Sequence, residues 1–216
     1  MLKIDLHTHS DLSPDGGIKR EEYMHVIEDE LLNFVAITDH NAIDRAVELS
    51  KALGKHIIIG EEIMTQEGEI IGLFLTNVIE PGQTAHATAE AIKKQGGLVY
   101  IPHPFETVRH GVSEATLNGL AGQVDIVEVH NGRAFFQNRG PKAATWARLH
   151  GKVMAASSDA HGRKGLGTTF TAVNEPVTVD NLLEQLGTAR LTAGRPPLRT
   201  LLYPKAHRLR KKLGKA

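Results

Sequence analysis

A small, distorted βα barrel in a single domain is the fold class the sequence predicts, and three observations carry it. Strand-like and helix-like runs alternate along most of the 216 residues, the pattern of βα units joined in a mainly parallel sheet. Five of the strand-like runs end in histidine, aspartate or glutamate. Those endings follow the first, second, third, fifth and seventh runs, and so many strand ends meet at one point only if the sheet closes. An open doubly wound sheet would gather its ligands at one switch point between two strands.

The elements follow in order. Strands are predicted over residues 2–6, 34–38, 57–63, 70–75, 98–101, 126–129, 153–156 and 169–173, each a short apolar run of strand length. Helices are predicted over 20–32, 42–53, 85–94, 113–120, 141–149 and 179–186. In the first helix Tyr23, Val26, Ile27 and Leu31 fall at helical spacing and mark a core-facing stripe. Pro81-Gly82 marks a turn, after which Gln83-Thr84 can start the third helix. Gly96-Gly97 ends that helix, and Gly151 ends the one before Val153. No repeat or linker divides the chain, so residues 1–200 read as one barrel domain and 201–216 as a tail.

Composition narrows the function classes. Apolar residues make up 41% of the chain, which suits one domain with its own core. The absence of cysteine excludes thiolate zinc sites, disulfides and cysteine nucleophiles. The first residues run straight into a strand pattern, with no signal peptide and no transmembrane segment, so a soluble, cytoplasmic protein is expected. The net charge of zero hides an asymmetry: from Gln185 onward there are nine Lys or Arg and no Asp or Glu. The acidic body suits a site that holds several cations. The basic tail reads either as a nucleic-acid or anionic-lipid contact or as a solvated helix end.

The five endings are Asp5-Leu6-His7-Thr8-His9, Ile37-Thr38-Asp39-His40, Gly60-Glu61-Glu62, Pro102-His103-Pro104 and Ser158-Asp159-Ala160-His161. Imidazole and carboxylate hold borderline divalent metals such as zinc, manganese or iron. His7 and His9 can chelate one ion, and Glu61 can bridge two through its two oxygens. Asp39 reads either as a group behind the ligands that orients one of them or as a core-facing residue, because adjacent strand residues point to opposite faces. Arg109 and Arg133, on loops after later strands, are candidate phosphate clamps. His130 reads as a ligand, a proton donor or a buried orienting group. Gly165-Leu166-Gly167-Thr168 lacks the lysine of a nucleotide-binding loop and reads as a tight turn.

These motifs, in this order and spacing, resemble those of the polymerase-and-histidinol-phosphatase (PHP) superfamily of metal-dependent phosphoesterases. The resemblance covers about three quarters of the chain. It implies a distorted seven-stranded (βα)7 TIM-like barrel with two or three divalent metal ions (manganese, zinc or iron) in its mouth. By position, it implies a first metal on His7, His9, Glu61 and Asp159, a second on Glu61 and His103, and a third on Asp15, His40 and His161. Many members carry a further histidine ligand where this chain has Glu69, which would favour a harder ion such as manganese.

The activity expected is hydrolysis of a small phosphorylated substrate. His130 or His161 would protonate the leaving group, and Arg109 or Arg133 would stabilise the equatorial oxygens. Only 20 residues separate His40 from Glu61, so the mouth carries little cover. Two other readings stand: a nuclease that holds nucleic acid through the basic tail, and a non-catalytic, metal-bound binding module.

Overall fold

The computed structural model describes residues 1–214. Its strands are β1 (Leu2–Asp5), β2 (Phe34–Ile37), β3 (Ile57–Thr65), β4 (Gly68–Leu73), β5 (Leu98–Ile101), β6 (Ile126–Asn131), β7 (Val153–Ser157), β8 (Phe170–Val173) and β9 (Arg190–Thr192). Its helices are α1 (Arg20–Glu28), α2 (Asp44–Leu53), α3 (Ala85–Lys94), α4 (Glu114–Gly119), α5 (Gly140–Leu149), α6 (Leu182–Gly187) and α7 (Tyr203–Lys212). The strands form one sheet in the order β7-β6-β5-β4-β3-β2-β1-β8-β9. It curls into a nearly closed, mixed barrel of the distorted TIM-like kind that the resemblance implies. At the seam, Thr171 Oγ1 of β8 accepts from Ala156 N (2.9 Å) and donates to Ala156 O (3.0 Å) of β7. His9 N donates to Ala160 O at 2.9 Å and draws the ends of β1 and β7 together.

The sheet is less parallel than the alternation predicts. β4 runs antiparallel to both neighbours, as does β8. Between β3 and β4 only Gln66 and Glu67 intervene, and a connection that short can join only antiparallel strands. This reversal matters for the site, because it brings the start of β4, not its end, to the mouth. Helix α1 stops at Glu28, short of the predicted residue 32, because Glu30 turns left-handed (φ 52°) and sends Leu32 back into the core.

Two apolar layers hold the barrel. Ile4, Phe34, Ile58, Ile71, Tyr100 and Ile126 fill its inside, joined by Leu182 and Leu186 of α6. The opposite strand faces, with Ile63, Ile70, Val99 and Val127, pack on α3 and α5, and Val35 and Ile37 pack on α1 and α2. The alternation is strict along β3: Ile58 faces in, Ile63 faces out. Thr84 and Ser113 cap α3 and α4 through the amides of Ala87 (3.2 Å) and Thr116 (3.1 Å). β9 lies in a stretch for which the sequence predicts no element, and α7 gives the basic tail the helical form that one of its readings expects.

Candidate metal centre

Past β1 the chain leaves the sheet, and His7 and His9 turn into the mouth with their Nε2 atoms 3.1 Å apart. Glu62 lies between the imidazoles. Its Oε2 is 3.3 Å from His7 Nε2, 3.2 Å from His9 Nε2 and 3.3 Å from His40 Nδ1, and its Oε1 is 3.2 Å from His103 Nε2. Asp159 Oδ1 stands 3.6 Å from both His7 and His9. Asp15 Oδ2 stands 3.5 Å from His40 Nε2 and 3.4 Å from His161 Nε2. Glu69 reaches His40 at 3.7 Å and His103 at 3.8 Å. Four overlapping ligand groups result: His7, His9 and Asp159; His7, Glu62 and His103; His9, Asp15, His40 and His161; and His40, Glu62 and Glu69.

One assignment is overturned. Glu61 does not enter this cluster. Its Oε2 accepts from Ile79 N at 2.8 Å, on the helix-facing side of β3. Strand parity is the reason: Glu62 shares its face with Ile58, and Glu61 shares its face with Ile63. The run Ile57-Ile58-Ile59 is apolar at every position, so the sequence offered no alternation from which to read that face. Of the two glutamates, it is Glu62 that lies among the imidazoles.

His130 is also displaced. A bulge between Glu128 and His130 shifts the register of β6 against β7. The inward position is Glu128, and the His130 side chain is exposed. The remaining predicted residues converge on the mouth. Glu69 joins them because β4 is antiparallel and starts there, on the inward parity of Ile71 and Leu73.

Both arginines lie at the rim, and both point at Asp159. Arg109 Nη1 donates to Asp159 Oδ2 (2.7 Å) and Asn131 Oδ1 (2.5 Å), and its Nε and Nη2 hold Glu106 Oε2 at 2.9 and 2.6 Å. Arg133 Nη1 reaches Asp159 Oδ1 at 3.2 Å, and its buried Nε has no hydrogen-bond partner among the described residues.

A supporting layer escaped the sequence reading. Glu128 Oε1 lies 3.2 Å from His7 Nδ1 and accepts from Tyr100 OH at 2.9 Å. Its Oε2 accepts from His103 N at 2.7 Å and Asn131 Nδ2 at 2.8 Å. A carboxylate on the far nitrogen of an imidazole fixes the tautomer and ring orientation of a metal ligand. Parity from Ile126 was the available signal. Asp39 is buried and accepts from Ser10 N at 2.6 Å and Ser10 Oγ at 2.5 Å, next to His9 in the chain. Two of the clustered residues sit in left-handed backbone, His103 at φ 28° and Asp159 at φ 51°. Such conformations cost roughly 1–3 kcal/mol each and concentrate at functional sites.

The electrostatics are those of crowded, buried, opposite charges. Burial opposes ionisation of Asp159, yet Arg133, His7, His161 and Arg109 hold it well below the usual carboxylate range. Burial, then Glu62, push Glu69 up to about 9. Against burial, Glu62, Asp15 and Glu69 raise His40 to about 9. Burial, His9 and Arg133 lower His161 to about 3, so its ring is neutral near pH 7.

These residues fit divalent cations. His9 Nδ1, His103 Nδ1 and His161 Nε2 are buried with no hydrogen-bond partner among the described residues, although buried polar atoms are ordinarily paired. The facing Nε2 atoms of His7 and His9 cannot satisfy each other and Glu62 with protons alone. The donor set is imidazole and carboxylate throughout, which suits manganese, zinc or iron.

Residues 5–165 match the model of the PHP domain. This chain belongs to the PHP family. It is 38% identical over 143 residues to Uncharacterized protein MJ1587 of Methanocaldococcus jannaschii, covering 60% of this chain and 82% of that one. It is 33% identical over 184 residues to Uncharacterized protein MJ0417 of the same organism, covering 81% of this chain and 71% of that one. Among solved structures, it resembles a two-domain protein from Bacteroides vulgatus that contains a predicted PHP-like metal-dependent phosphoesterase. The TM-score is 0.72 at 20% identity, over 96% of this chain and 69% of that one. It also resembles Endonuclease Q, solved with a duplex carrying an abasic lesion, with a TM-score of 0.62 at 16% identity over 88% of this chain and 58% of that one. At those identities the structural likeness speaks for the fold. No helix among the described residues is long and apolar enough to cross a membrane.

Proposed function

We propose that this PHP protein is a metal-dependent hydrolase of a small phosphomonoester or nucleotide, working with two or three divalent ions. The observation that carries the reading is Glu62, a single carboxylate within 3.3 Å of ring nitrogens of His7, His9, His40 and His103. Such a group can serve two ions at once. His7, His9 and Asp159 would hold one ion, Glu62 and His103 a second with Glu69, and Asp15, His40 and His161 a third. When bound, divalent ions supply Lewis acidity to phosphoryl oxygens and lower the pKa of water towards neutrality.

The chain's own groups do the rest. Glu128 orients His7 and, through the His103 amide, the loop after β5. Arg109 braces Asp159 and Glu106, while Arg133 has donor capacity left for a phosphoryl oxygen. Neutral His161 is read as a ligand and not as the proton donor, and His130, exposed and absent from the cavity wall, is not placed for that task.

The cavity at the mouth measures about 180 Å³ and is walled by Asp15, Arg133, His110 and Arg208 among others. A space of that size favours a small substrate over a nucleic-acid strand. Endonuclease Q, which shares this fold over 58% of its length, was solved with a duplex substrate, so a nuclease is the second reading, favoured by the basic face of α7. Elemental analysis of purified protein should find at least two divalent ions per chain, and chelation should abolish turnover of a generic phosphate ester. Active, unchelated protein with one ion or none would overturn the proposal. Faster turnover of a short oligonucleotide than of nucleoside monophosphates would transfer it to the nuclease.

A further inference from the structure

The basic C-terminal helix is seated on the site and does not trail from it. The His207 ring lies over Gly17, where a Cβ would come within 2.2 Å of it, and the Tyr203 ring lies over Gly162, where a Cβ would come within 2.6 Å. These glycines stand two residues after Asp15 and one after His161. Lys211 Nζ donates to the carbonyls of Asp11 (2.8 Å), Gly16 (3.0 Å) and Ser13, the turn that carries Asp15. Held in this way, α7 puts Arg208 on the cavity wall with Nη2 donating to Asp15 Oδ2 at 2.7 Å.

Hydrogen-bond accounting separates the three rim arginines. Arg109 is 12% exposed and engaged by Glu106, Asn131 and Asp159. Arg133 is 17% exposed and leans on Asp159. Arg208 is 59% exposed and has Asp15 as its one partner among the described residues. A guanidinium carries five N–H donors in a planar fork, so most of those on Arg208 remain for a ligand. Arg208 also approaches Asp15 more closely, at 2.7 Å, than His40 or His161 does.

We propose that α7 is a working arm of the site, and that Arg208 binds a non-bridging oxygen of the substrate phosphoryl group on the Asp15 side of the cavity. This rests on the phosphoesterase reading above. Removing residues 201–216 would then damage small-substrate and nucleic-acid activity alike, so truncation cannot tell the two substrates apart.

The test is calorimetric titration of the manganese-loaded full chain with inorganic phosphate, with metal content measured in parallel. Arg208→Ala and Arg208→Gln should each weaken phosphate binding about 10- to 100-fold, the scale of one charge-assisted contact, and leave metal content unchanged. Arg208→Lys should recover part of the loss, because it keeps the charge and loses the fork. Phosphate affinity within twofold of the intact chain in both neutral variants would overturn the inference. So would a fall in metal content matching that of Asp15→Ala, which would make Arg208 a brace of the ligand loop. An intact, metal-loaded chain that neither binds phosphate nor hydrolyses esters would overturn the phosphoesterase reading itself, a result distinct from either of these.

Discussion

Glu61 and Glu62 are chemically identical neighbours on β3, and the barrel gives them opposite tasks. Glu62 faces inward among four imidazoles, where His7, His40 and His103 outweigh burial and hold its carboxyl well below the usual range. Glu61 faces the helices, accepts the Ile79 amide, and is pushed up to about 7 by burial and, beyond that, by Glu80. One residue of register is the whole difference. A strand places ionisable groups by parity, and the environment on each side then sets their charge.

The largest effect expected from this contrast is at Glu62. Glu62→Gln should cost at least one bound ion and lower phosphate-ester turnover by about 1,000-fold or more. Elemental analysis and kinetics check both, and a variant with full metal content would break the contrast at its centre. Arg109→Ala comes next. It strips buried Glu106 and Asp159 of a shared cation, and removing one partner of a buried pair costs about 3–5 kcal/mol. Denaturant unfolding should register that loss, and activity lost with stability intact would return Arg109 to the role of substrate clamp.

Glu128→Gln tests the inward face of β6 in the same way. Loss of the carboxylate behind His7 should weaken metal affinity about 10- to 100-fold, measured by competition with a chelator. The smallest effect belongs to Glu61→Gln, and its sign is opposite. The folded pKa of about 7 lies above the ordinary 4.5, so ionisation costs folded stability as pH rises through that window. Below pH 4.5 the group is neutral in both states and costs nothing. The glutamine variant, with metal content unchanged, should gain about 1–3 kcal/mol over the parent between pH 4.5 and 8. Melting curves across that range would sharpen the comparison if the gap opens with pH, and break it if the gap is flat.

Much of this protein was legible in its sequence, because strand and helix periodicity and the chemistry of imidazole and carboxylate are local. The motifs around His7, His9, His40, His103, Asp159 and His161 by themselves mark a metal-binding barrel. What tertiary structure alone decided was which side of the wall each carboxylate faces. Ile57-Ile58-Ile59 is buried on both faces and hides parity, and the bulge after Glu128 re-aims His130. The antiparallel turn at Gln66-Glu67 carries Glu69 to the mouth, and α7 crosses from residue 203 to reach Asp15. Within the tail, Lys215 and Ala216 lie outside the described residues. The physical reason is common to all four cases. Residue type is written in the sequence, but direction depends on register and long-range packing, which one residue of slip inverts.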